Sequence, residues 1–216
     1  MDGRAASPGA LVAIALAWAL YYALHSALAT DVVKRRVASR WPRLFRRYRL
    51  LYNVSAVVLL VPPVALTLLH GGAPLWAWTG ALGIAADVLA LAALVGFVAT
   101  FFVYDLGAFA GLRRASSSTM DEDVAALRIS VFHRFVRHPW YFFALVMVWT
   151  RAMDAAFLTA AVATTLYLAI GSRIEEQRLI ARHGDRYRRY RRAVPGLVPR
   201  PWRTLSVAEA RMLQKR

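Results

Sequence analysis

The stretch ALVAIALAWALYYALHSALA, residues 10–29, runs for 20 positions without a charged side chain. A helix needs roughly 20 apolar residues to cross the hydrocarbon core of a bilayer, so this segment reads as a transmembrane span. Further along the chain the pattern recurs. A second apolar run extends from about Leu50 to Leu69, with a kink expected at Pro62–Pro63. A third, about Trp76 to Val103, is interrupted only by Asp87. A polar stretch from Tyr104 to His138 follows, then a short apolar run, Pro139 to Thr150, which must borrow residues, tilt, or pair as a hairpin around Arg151–Asp154 with a longer one, Ala155 to Gly171. The fold class expected is all-α, a polytopic membrane bundle of about five transmembrane helices with cytoplasmic C-terminal helices. Residues 1–103 would form a three-span region and residues 104–216 a second region holding the hairpin and the tail.

Composition agrees. With 59% hydrophobic and 19% charged residues in 216, the chain is too apolar for an ordinary soluble domain and long enough for one bundle. It has no cysteine, which excludes disulfides, thiolate metal sites and a cysteine nucleophile. Five histidines, none spaced i,i+4, give no metal-ligand pattern.

The net charge of +16 would suggest nucleic acid in a soluble protein, but its distribution points elsewhere. Residues 30–49 hold eight Lys and Arg, residues 104–138 five, and residues 172–216 thirteen. Five spans place all of these on one face, leaving Arg4 and Arg151 on the other. This positive-inside asymmetry predicts the N-terminus outside, the C-terminus cytoplasmic and a location in the cell inner membrane. The basic charge is then topological, with attraction to anionic membrane lipids, and no nucleic-acid partner is expected. Ala27-Leu28-Ala29 resembles a signal-peptidase site. Asp2 and Arg4 cancel in the segment before it, however, and cleavage would translocate eight basic residues, so a retained span is the better reading.

Chemistry should lie where polar residues gather at helix ends. Arg137-His138-Pro139-Trp140-Tyr141 opens the fourth span, with proline in the first turn, where its missing N–H costs nothing. The bland alternative is an interfacial helix start with snorkelling side chains. The fifth helix leaves the bilayer through Arg173, Glu175 and Glu176 and should run to His183, where Gly184 is a natural terminator. Glu beside Arg on such a helix ordinarily marks a solvated face, and Tyr187 with Tyr190 an interfacial belt. Within the spans, Asp87 reads equally as a functional carboxylate and as a protonated hydrogen-bonding one. His25, one turn after Tyr21, could border an acceptor pocket with Asn53.

Taken in order, R-H-P-x-Y, an apolar hairpin, E-E-x-x-L-x4-G-x-x-Y-x-x-Y and V-P over residues 125–199 resemble the C-terminal half of the isoprenylcysteine carboxyl methyltransferase family, with its bacterial NnrU-type and methanethiol S-methyltransferase relatives. Tyr22-x-x-His25-Ser26 and Tyr48-Arg49-Leu50-Leu51-Tyr52-Asn53 look like the front half of the bacterial members. The resemblance implies S-adenosylmethionine as cofactor at the cytoplasmic face. Leu127, Arg128, His133, His138, Pro139, Trp140, Tyr141, Glu175 and Glu176 would contact it, and His25, Arg137 and Arg173 would serve catalysis. The chain departs from the family's T-x-G-x-Y pattern before R-H-P, reading Ile129, Val131 and His133 at those positions.

Those residue types suit the reaction. The cofactor carries an activated methyl group, so the protein must bind, orient and desolvate. A sulfonium is attracted to carboxylates and aromatic faces, which Glu175 and Tyr141 supply. A carboxylate acceptor needs no general base, and a thiol needs only a lowered pKa, which nearby arginines provide. The expected activity is methyl transfer to a small or lipophilic thiol or carboxylate, a small thiol being favoured by the likeness to bacterial members. Two other readings stand beside it: a membrane reductase of the sterol-reductase type, whose NADPH phosphate would favour arginines, and a non-enzymatic membrane scaffold or transport component.

Overall fold

Ser7 accepts a hydrogen bond from the N–H of Ala10, and Pro8 occupies the first turn, so helix α1 (Pro8–Ala29) begins on two local signals. Thr30 then closes α1 and caps α2 (Asp31–Arg40) by accepting the N–H of Val33. In this computed structural model, which describes residues 6–102 and 127–214, seven further helices follow. They are α3 (Pro42–Phe45), α4 (Tyr48–Leu69), α5 (Gly80–Phe101), α6 (Pro139–Trp149), α7 (Ala155–His183), α8 (Asp185–Ala193) and α9 (Val207–Gln214), with a 3-10 turn at Phe132–Arg134. Among the described residues there is no strand, only an isolated bridge between Trp76 and Met153. The architecture is all-α.

Helices α1, α4, α5 and α7 are each long and apolar enough to cross a membrane. Helix α6, with 11 residues, rises only about 16 Å and cannot span a hydrocarbon core by itself, in keeping with the short fourth run in the sequence. The protein is a multi-pass membrane protein. Helix α4 continues through Pro62 and Pro63, and α7 runs on past its apolar part to His183. There Gly184 takes φ 56°, a left-handed conformation that side-chain-bearing residues rarely adopt, and turns the chain into α8.

The third helix starts later than the apolar run. Residues 76–79 precede it, and the backbone of Trp76 is engaged with a distant turn. The N–H groups of Leu75 and Trp76 donate to the Met153 carbonyl at 2.6 and 3.3 Å, and Met153 N–H donates to the Trp76 carbonyl at 3.0 Å. A hydropathy pattern cannot register such a pairing between two distant turns.

The described residues group into two compact units. The first comprises residues 6–84 and 151–165. Its helices are tied by hydroxyl and indole bonds: Trp18 Nε1 to Thr67 Oγ1 at 3.1 Å, Tyr22 to Thr164 at 2.7 Å, and Tyr48 to the Leu28 carbonyl at 2.6 Å. Such bonds suit helices in lipid, where apolar faces gain nothing by leaving the hydrocarbon.

The second unit comprises residues 85–102, 127–150 and 166–214. Its core lies in the tail, where Leu127, Ile129, Tyr187, Tyr190, Val194, Leu205 and Ala210 form one buried cluster. Tyr187 and Tyr190 are therefore not a membrane-interface belt, as their spacing suggested. They are 1% and 3% exposed, because three-residue spacing on α8 puts both rings on one face while its arginines take the others. The Tyr190 hydroxyl donates to the His133 carbonyl at 2.7 Å, so its polar end is satisfied in that core.

Candidate functional site

The site grows from the start of α6. His138 is its N-cap and Pro139 its first residue. The backbone just before it is held by the segment after α8, with Arg137 N–H donating to the Pro195 carbonyl at 2.9 Å and His138 N–H to the Gly196 carbonyl at 3.1 Å. Space beside Gly196 is tight, and a side chain there would push the Arg137 guanidinium aside by a few tenths of an ångström. A Cβ there would sit 3.2 Å from Arg137 Nη2 and 3.7 Å from Glu176 Oε1.

Two neighbouring glutamates of α7 meet this helix start in different ways. Glu176 is buried and fully engaged. Its Oε1 accepts from Arg137 Nε at 2.9 Å, Arg137 Nη2 at 2.6 Å and His138 Nε2 at 3.1 Å, and its Oε2 lies 3.4 Å from Arg191 Nε. Arg137 completes the lock by donating through Nη1 to the carbonyls of Arg191 and Val194. A guanidinium has five donors in a rigid fork, and here that fork ties α6, α7 and the end of α8 together.

Glu175, in contrast, is half exposed. Its Oε2 lies 3.4 Å from His138 Nδ1 and accepts from the Tyr141 hydroxyl at 3.4 Å. The Tyr141 ring stacks on the His138 imidazole, with centroids 5.3 Å apart and planes 9° from parallel. Both His138 nitrogens thus face carboxylate oxygens, an arrangement that favours the protonated ring. Burial would lower its pKa, but the bonds to Glu175 and Glu176 outweigh that and raise it above the ordinary value of 6.5.

His133 has the opposite fate. Burial, helped by the positive charge of His138 and opposed by Glu175, pulls it down to about 4, so it is neutral. Its Nδ1 pairs with Ser130 Oγ at 2.7 Å.

The structure brings His133, His138, Pro139, Tyr141, Glu175, Glu176 and Arg137 together in the second unit. Trp140 packs against Phe97 instead, with ring centroids 6.0 Å apart. Leu127 belongs to the tail core, and Arg128 lies next to it in sequence, at a position that is exposed. Arg173 is exposed and forms no ion pair or hydrogen bond with a described residue. His25 belongs to the first unit, where its Nε2 pairs with the Tyr52 hydroxyl at 2.8 Å and its ring stacks on Tyr21. Asp87 is exposed on α5. No cluster of potential metal ligands occurs among the described residues. Sequence reasoning missed Arg191 and Gly196, whose part in the site comes from a chain reversal some 55 residues away; the V-P pair at 194–195 was the only local hint.

The fold and site define a class: an all-α multi-pass membrane protein with a carboxylate, imidazole and phenol gathered where a proline-started helix begins. Comparison with known proteins makes this particular. The chain is 32% identical over 133 residues to methanethiol S-methyltransferase of Crocosphaera subtropica, a match covering 59% of this chain and 52% of that one. It is 31% identical over 193 residues to methanethiol S-methyltransferase 2 of Bradyrhizobium diazoefficiens, covering 86% of this chain and 71% of that protein. It is 34% identical over 110 residues to methanethiol S-methyltransferase 1 of the same organism, covering 50% and 38%. The chain belongs to this family of membrane methyltransferases, as its R-H-P-x-Y and E-E motifs suggested. It spans about half the length of the first of these relatives. No protein-family model and no solved structure matches it.

Proposed function

We propose that the protein is an S-adenosylmethionine-dependent membrane methyltransferase acting on a small thiol. The observation that carries this reading is Glu175, a half-exposed carboxylate held by His138 and Tyr141 at the start of α6. The donor set fits the cofactor: a half-exposed carboxylate with an aromatic ring beside it is what attracts a sulfonium. When bound, S-adenosylmethionine supplies a methyl group already activated for displacement. Glu175 offers the negative charge, and the stacked pair of His138 and Tyr141 fixes where that charge sits. Glu176 and Arg137 hold α6 and α7 in register, a positioning role. Three relatives named as methanethiol S-methyltransferases support sulfur as the acceptor atom.

With α6 and its flanking residues counted as a fifth crossing, the charge distribution supports an inner-membrane orientation with the N-terminus outside and the C-terminal tail cytoplasmic. In that arrangement the cluster faces the compartment where the cofactor is made. The test is titration of detergent-purified protein with S-adenosylmethionine and NADPH, followed by transfer of labelled methyl to methanethiol and to a carboxylate acceptor. Saturable binding of S-adenosylmethionine with label appearing on the thiol is expected. Binding of NADPH alone, or label on the carboxylate only, would overturn the proposal.

A further inference from the structure

On the far side of Arg137 lies a second feature, outside the cluster of Glu175, His138 and Tyr141. A cleft of about 520 Å³ is lined by six arginines, Arg137, Arg188, Arg191, Arg192, Arg200 and Arg203. Arg188, Arg191 and Arg192, spaced i, i+3 and i+4, share one face of α8. The chain then returns past Pro195 and Gly196, and Arg203 donates to the carbonyls of Arg191 and Arg192, which folds residues 195–203 back against the end of that helix. Ile180 and Pro195 add an apolar wall.

Like charges gathered this closely repel one another, and few carboxylates offset them here. Glu176 serves Arg137 and Arg191, and Asp185 pairs with Arg188 at 2.7 Å. The guanidinium groups of Arg192 and Arg200 form no salt bridge with a described residue, and both side chains are exposed. The cleft is therefore strongly positive and lined by planar forks, which match phosphate oxygens in pairs. It is a poor place for S-adenosylmethionine, whose sulfonium and ammonium outnumber its carboxylate. It suits a small organic phosphate whose carbon portion rests on Ile180 and Pro195.

We infer that the Arg188–Arg203 cleft is a binding site for a phosphate-bearing ligand, separate from the methyl-transfer site. Two sources share this chemistry: a soluble phosphorylated compound, and the head group of an anionic phospholipid at the membrane surface, where basic clusters collect such lipids.

The experiment uses the full chain in detergent and measures binding of inorganic pyrophosphate, of dioctanoyl phosphatidylglycerol and of dioctanoylglycerol, which lacks phosphate. The same is done for the double variant Arg192→Gln/Arg200→Gln, whose melting temperature and S-adenosylmethionine binding should match the parent because neither residue touches Glu175 or His138. The variant should bind the phosphate ligand about tenfold or more weakly. Pyrophosphate binding identifies a soluble ligand, and phosphatidylglycerol binding without pyrophosphate binding identifies a lipid head group. Failure of both to saturate, equal binding by parent and variant, or equal binding of dioctanoylglycerol would overturn the assignment. Because S-adenosylmethionine binding is read in parallel, failure here is distinguishable from failure of the methyl-transfer proposal.

Discussion

Helix α1 and the tail after α7 are built on opposite principles. In α1 one side chain of 22 residues, Ile14, is buried, while Val12, Leu16 and Leu20 are about 60% exposed on the protein's own surface. In the tail, tyrosines disappear into a core, and near the end of α7, just before it, the buried Glu176 accepts from Arg137 and His138. The first arrangement leaves the apolar surface to lipid and asks little of neighbouring side chains. The second demands that each polar atom find its partner, since a buried charge left unpaired is costly. The difference teaches where precision resides: the spans place the protein in the membrane, and the tail sets the geometry of the site.

The sharpest way to break this contrast is Glu176→Ala. It leaves Arg137 and His138 without their shared carboxylate and should cost about 3–5 kcal/mol. Amide hydrogen exchange should speed up in residues 127–138 and 185–205 while α1 and α4 keep their protection. Uniform loss of protection would show that spans and tail are one cooperative block.

A smaller effect should follow pH. The folded state raises the pKa of His138, so its ion pairs contribute fully below the ordinary value of 6.5 and are lost as pH rises through the raised value. Melting in detergent should therefore show stability falling as pH rises above 6.5, and His138→Gln should flatten that slope. An unchanged slope in the variant would assign the effect to another group.

The smallest change is expected from Leu16→Ala on the exposed face of α1, within about 0.5 kcal/mol. A large loss there would mean that this face is covered by a partner.

The same contrast explains what the sequence made legible. Apolar runs are long and local, so the positions of α1, α4, α5 and α7 could be read, as could the end of α7 at His183 before a glycine suited to positive φ. The motif around Arg137–Tyr141 and the Glu175–Glu176 pair pointed to the region of the site because their order along the chain is distinctive. What stayed hidden depends on contacts between distant segments. The start of α5 was masked by the pairing of Trp76 with Met153. The burial of Tyr187 and Tyr190 needed Leu127, Leu205 and Ala210 to arrive from elsewhere. The division of labour between the two glutamates turns on which one faces Arg137, and adjacent residues on a helix differ only by a rotation of about 100°.

That division is tested most directly by measuring binding of S-adenosylmethionine and S-adenosylhomocysteine to the parent and to Glu175→Gln. The first ligand carries a positive sulfur and the second a neutral one, so a carboxylate facing that sulfur discriminates between them. Glu175→Gln should weaken S-adenosylmethionine by roughly 10- to 100-fold while leaving S-adenosylhomocysteine nearly unchanged. An equal loss for both ligands, or none for either, would contradict the placement of the sulfonium at Glu175.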